Sequence, residues 1–237
     1  MFFSKPDPQK AGLNSPKIKD GRYDGEYAFR GCLNARISGG VYNGLYAYYS
    51  AKSPEISGGE YKAGFSFYAA EFPKVTSGVF DGEMAFYGAE AATVRYGDFS
   101  GEYAFCESKE AMIEGGNYSG AGAFSEAVKA TILDGNFSGP DFGITSQQMV
   151  ITGGTFSGAG FLKFSRNALM VGGSITGPAV FQDAQSIKVL LNGFIPEICN
   201  PLSGIIAVKK IGRIVFDREK PSGVTIIAES VDEGGAY

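Results

Sequence analysis

Glu83 and Glu102 are the side chains of this chain best spaced for acid–base chemistry. Asp24 and Glu26 recur as Asp81 and Glu83, and Glu102 stands nineteen residues beyond Glu83. If nineteen residues make one turn of a stacked coil, the two carboxylates lie roughly 5 Å apart, within the separation that retaining glycosidases use. Like charges that close raise the pKa of one partner. The spacing is common to any two equivalent residues in adjacent turns, however, and exposed carboxylates mainly hydrate a surface. A second set is aromatic: Tyr49, Tyr68 and Tyr87 keep the same interval, with Arg30 before them and Cys106 after. Turned outward, such a ladder suits a subunit or protein contact, or stacking on sugar rings. Packed beneath a terminal segment, it would be structural.

Composition removes most other chemistry. The 237 residues include no histidine, the commonest general base and metal ligand. Three scattered cysteines do not make a zinc site, and no phosphate-cradling G-x-x-x-x-G-K-S/T loop occurs. No metal and no cofactor is expected. A formal charge of −4 gives no reason to expect nucleic acid, whose binding needs clustered cations. The basic residues are scattered, apart from Lys209, Lys210, Arg213 and Arg218. No apolar run is long enough for a membrane span. The opening MFFSKPDPQK lacks the apolar core of a secretory signal, so a cytoplasmic location is expected. Cys32 and Cys106 would lie roughly 19 Å apart in stacked coils, beyond the ~7 Å reach of a disulfide. Buried, reduced thiols are expected.

The element that positions these residues is a repeat. Ile18, Ile37, Ile56, Val75, Val94, Ile113, Ile132, Ile151, Met170 and Val189 follow at intervals of nineteen without a slip. Three residues after each comes glycine, from Gly21 to Gly173, with Asn192 ending the run. Two further on stands an aromatic, from Tyr23 to Phe156, then Ile175 and Phe194. Glycine is 35 of 237, and its fixed positions argue for required turns. A period this short, without helical patterning, marks a solenoid of brief strands. One unit cannot bury its apolar face, whereas stacked units align like side chains in continuous interior files. Phe29, Tyr48, Phe67, Phe86, Phe105 and Phe124 form one expected file. Alternation along the strand then turns the tyrosine ladder outward. The neighbouring set Tyr27, Tyr46, Phe65, Met84 and Tyr103 is left open between inside and outside.

The unit I-x-x-G-x-F-x-G-x-x-A-F-x-x-A-x-x-A-x, clearest from Ala123-Phe124 through Ala127, Ala130, Ile132 and Gly135 to Phe137, resembles the right-handed parallel β-helix of the pectate-lyase-like superfamily. Ser165-Arg166-Asn167-Ala168 leading into Met170, Gly173 and Ile175 repeats the theme. The chain is similar to uncharacterised bacterial β-helix proteins with short, uninterrupted coils. The resemblance implies architecture only, because none of that superfamily's catalytic motifs is matched.

The expected fold is thus all-β: a single-stranded right-handed parallel β-helix of about ten 19-residue coils, near ~48 Å long. Residues 1–17 are expected to be a tail or cap, with Phe2 and Phe3 over the first coil. Residues 18–195 form the β-helix, and residues 196–237 form degenerate coils or a C-terminal cap. Val208 and Ile227, the next steps of nineteen, suggest worn coils there, with a detached hairpin as the competitor. Unbroken intervals leave no inserted loops to wall a cleft. The expected role is a non-enzymatic scaffold or protein-interaction module, presenting Tyr49, Tyr68 and Tyr87 to another copy or a protein partner. The alternative is a carbohydrate-binding β-helix, or a polysaccharide hydrolase or lyase using Glu83 and Glu102. The polar pairs Asn117/Ser119, Asn136/Ser138, Thr155/Ser157 and Ser174/Thr176 read as solvated positions, or more remotely as a flat ice-binding array.

Overall fold

The computed structural model describes residues 11–62, 64–217 and 219–232. These form a right-handed parallel β-solenoid of about eleven coils, and no helix occurs among the described residues. Each coil pairs with the next at three places. A two-residue strand ends on the aliphatic residue, so that Ile132 pairs in parallel with Ile113 and Ile151. A second carries the aromatic, Phe137 pairing with Tyr118 and Phe156. The third pairing place is a single bridged residue per coil, running from Asn14 and Leu33 through to Gln185.

The glycine between the two strands has two jobs. At Gly135, φ is +137°, a region that a side chain resists. An added Cβ would also stand 3.0 Å from the ring of Phe137. Removing that Cβ lets the aromatic fold back beneath the turn and enter the core.

The core is two aromatic files bordered by aliphatics and alanines. Tyr42, Tyr61, Phe80, Phe99, Tyr118, Phe137 and Phe156 stack with centroids 4.6–4.8 Å apart. Phe29, Tyr48, Phe67, Phe86, Phe105 and Phe124 stack at 4.8–5.0 Å. The files meet edge to face, as between Phe80 and Phe86 at 60°. Coil spacing matches a comfortable ring offset, so backbone pairing and ring stacking favour the same register.

The nineteen-residue count fails at the C-terminal end. Strands Ile187–Cys199, Gly204–Val215 and Val224–Val231 continue the parallel winding, not a hairpin. Val189 faces Ile206, seventeen residues on (189 to 206), and Ile206 faces Ile226, twenty on (206 to 226). Val208 therefore pairs with Leu191 and Ala228, and Ile227 with Ala207, pointing outward. Long continuous strands replace the glycine corner here, so the coil changes length. A bulge between Leu191 and Phe194 also shifts the alternation. Phe194 ends 45% exposed, and Ile195 takes the interior place expected for it. At the other end, parallel pairing has begun by Asn14; Phe2 and Phe3 lie outside the described residues.

Candidate functional site

The tyrosine ladder lies at one corner of the solenoid. The N–H groups of Tyr49, Tyr68 and Tyr87 donate to the carbonyls of Tyr46, Phe65 and Met84, three residues back. Each bond closes a turn whose two ends point outward, while the residues between them, such as Ser66 and Phe67, are buried. Phe65, Met84 and Tyr103 adopt φ of 51–55° to make that turn. The set Tyr27, Tyr46, Phe65, Met84 and Tyr103 is therefore outward, which settles the orientation left open above. Tyr27 is 43% and Tyr103 37% exposed, the others being half-buried by one another.

Two outward files result. Tyr49, Tyr68 and Tyr87 stack at 5.2–5.3 Å, and Tyr27, Tyr46 and Phe65 at 5.2–5.3 Å. Across the files the rings meet near perpendicular, with Tyr46 at 84° to Tyr49 and 85° to Tyr68. Arg30 closes the N-terminal end, its guanidinium 5.7 Å from the Tyr27 ring and 5.3 Å from that of Tyr49. At the opposite end the Tyr87 hydroxyl donates to Glu107 Oε1. That bond, more than burial, holds the Tyr87 phenol well above its usual range.

Glu83 and Glu102 fall in adjacent coils, joined by the Met84 N–H to the Glu102 carbonyl at 2.8 Å, and both are exposed. They flank the aromatic corner, open to solvent. Cys32, Cys106 and Cys199 are not joined in disulfides. Burial pushes the Cys106 thiol up to about 11, so neutral pH leaves it protonated and unreactive. Among the described residues no group of three or more acidic or thiol side chains is placed to hold a metal. Part of the C-terminal basic cluster is internally paired, Lys210 with Asp232 at 2.9 Å and Arg213 with Glu197; Arg218 lies outside the described residues.

Sequence reasoning missed a groove. A shallow channel of about 970 Å³ follows the glycine corner from Asp20 in coil one to Asn136 in coil seven. Its floor is glycine, and its walls are mainly acidic and amide side chains, with Val41, Val79 and Tyr96 among them. Asp98 accepts from the Asn117 amide at 2.8 Å, and Asn117 accepts from Asn136 at 3.0 Å. Tyr96 stands in the channel, 65% exposed, lying against Gly115 so closely that a Cβ there would be 3.6 Å from ring carbon Cδ1. A signal existed: glycine or a small residue at two successive positions in most coils removes side chains along a whole line.

Residues 84–227 match a family described as Protein of unknown function (DUF3737). The chain belongs to that family. The matched segment takes in Met84, Tyr87 and Tyr103, whereas Tyr27, Tyr46, Tyr49, Phe65 and Tyr68 precede it. Comparison with curated proteins and with solved structures gives no match. No helix is long and apolar enough to cross a membrane among the described residues.

Proposed function

We propose that this chain is a non-enzymatic β-solenoid scaffold whose outward aromatic corner docks another protein surface. One observation carries this reading. Coils six to eight build the same corner with Gly122/Ser125, Asp141/Ile144 and Gly160/Lys163, over a core as closed as that of coils two to five. The outward rings are therefore not needed to wind the solenoid. A contiguous exposed aromatic stripe beyond structural need is characteristic of an interaction site. The stacking also favours protein over sugar, because each ring covers its neighbour's face and leaves edges and hydroxyls outward. Sugars stack on open faces. Thiols that form no disulfide fit a reducing cytoplasm.

A photo-crosslinking residue in place of Tyr68 tests this in cell extract. Protein adducts are expected, and a Tyr49→Ser/Tyr87→Ser background should lose them while unfolding at a near-normal temperature. A folded chain that yields no protein adduct would overturn the docking role.

Tyr96 favours a second reading. If the chain binds or cleaves a glycan, the groove supports that use better than the tyrosine ladder or the Glu83/Glu102 pair. An open ring beside a line of carboxylates and amides resembles the makeup of sugar sites. A polysaccharide panel with wild type and Tyr96→Ala separates this from the scaffold reading.

A further inference from the structure

We infer that the occupant of the aromatic corner is a second copy of this chain, laid antiparallel across a two-fold axis through Tyr68. The inference rests on the docking role proposed above and names its partner. The stripe has a charge direction along the rod: the Arg30 guanidinium tops its first coil, and the Glu107 carboxylate, already holding the Tyr87 hydroxyl, closes its last. Coil three, with Phe65 and Tyr68, is the midpoint of that run. A symmetric dimer repeats every contact, so an isologous stripe must complement itself.

Two orientations bring stripe to stripe, and charge decides between them. With the rods parallel, each coil meets its own copy with the two files exchanged. Arg30 then faces Tyr27 of the partner subunit, and Glu102 faces Glu107 of the partner subunit: two like-charge contacts and no ion pair. With the rods antiparallel, each file meets itself with coil order reversed. Tyr68 lies against Tyr68 of the partner subunit on the axis, and Tyr49 against Tyr87 of the partner subunit. Arg30 then reaches Glu107 of the partner subunit, twice by symmetry. The cost is Glu26 opposite Glu102 of the partner subunit, also twice, both exposed at the rim, where water and salt screen them. Opposed charges at the stripe's ends with aromatic contact between them specify the antiparallel register.

Four rises of about 4.8 Å make the stripe roughly 19 Å long. Two files of that length cover less than the ~800 Å² per partner of a standard interface. Rim residues such as the exposed Leu45 add to it, and the dimer is expected to dissociate on dilution.

Sedimentation equilibrium from low micromolar to sub-millimolar concentration tests the inference, with circular dichroism confirming that each variant is folded. Wild type should self-associate. Tyr68→Ser, Arg30→Glu and Glu107→Arg should each weaken dimerisation about 10-fold or more, and the Arg30→Glu/Glu107→Arg double variant should recover most of the loss. Self-association that survives all three single variants overturns the interface. Loss in both single charge variants without recovery in the double overturns the antiparallel register. If wild type stays monomeric but crosslinks to a different protein through Tyr68, the second copy is refuted and the docking role stands. Monomer with no crosslink removes both.

Discussion

Coils two to five and coils six to eight share a core and differ at one corner. In both, aliphatic and aromatic files are closed to solvent, and the glycine turn has φ between +97° and +151°. At the corner the first group carries two files of rings, interrupted only by Met84 and the buried Cys106, and the second carries Gly122, Asp141 and Gly160 in one of those files. The backbone adapts too. Phe124 and Leu162 take φ of 63° and 54° at the position after the buried alanine or phenylalanine, a conformation that Phe67, Phe86 and Phe105 do not adopt. In coils seven and eight the inward ring moves back one place, to Phe142 and Phe161, which stack at 5.6 Å. Winding requires a filled interior, and it tolerates widely different exteriors.

The largest effects should therefore be equal in the two regions. Phe86→Ala in coil four and Phe137→Ala in coil seven each remove a ring stacked on both sides. Each should cost about 3–5 kcal/mol, read by urea unfolding. A loss below about 1 kcal/mol at either site would break the claim that one core runs through both.

Much of this architecture is legible before any coordinates. The interval of nineteen places Ile over Ile and Phe over Tyr because parallel pairing without insertions leaves no other register. The tyrosine ladder is legible for the same reason, since Phe29 through Phe124 must face inward and a neighbour one residue on must face out. Three things were not legible. Tyr27 to Tyr103 precede the inward ring by two, which alternation would bury; the left-handed φ at Phe65, Met84 and Tyr103 reverses that. The groove is defined by missing side chains, and glycine reads first as a turn. Beyond Val189, continuous strands set coil length by their own bulge, a local geometry that no periodic count contains.

A smaller effect separates tyrosine from phenylalanine within the shared file. The Tyr118 hydroxyl donates to the Gly115 carbonyl at 3.3 Å, as Tyr61 does to Gly58 at 3.2 Å. Tyr118→Phe should cost about 1 kcal/mol at neutral pH. Burial raises the Tyr118 and Tyr61 phenols well above their ordinary range. Below the unfolded tyrosine pKa, about 10, both states are protonated and stability is unaffected. Above it the unfolded chain releases protons that the folded core retains, so stability falls as pH rises towards the folded values. Tyr61→Phe/Tyr118→Phe should therefore unfold at higher pH than wild type in an alkaline titration. An unchanged alkaline midpoint would mean that water reaches the core files.

The smallest expected change is the most diagnostic of the difference between regions. Tyr103 sits at φ 55°, where Gly122 occupies the equivalent place in coil six at φ 66°. Tyr103→Gly removes an exposed ring and relieves a left-handed conformation that costs a non-glycine residue about 1–2 kcal/mol. The added backbone entropy of an unfolded glycine offsets part of that gain, by roughly 0.5–1 kcal/mol. Stability should move by less than about 1 kcal/mol, whereas Gly122→Tyr should destabilise, because a Cβ there would lie 2.4 Å from the Tyr103 ring. The asymmetry would mean that the stripe ends at coil five for a steric reason, Tyr103 folding over the next corner and leaving room only for glycine. Were Gly122→Tyr neutral, the stripe could be lengthened at will, and its limit would have to come from whatever it binds.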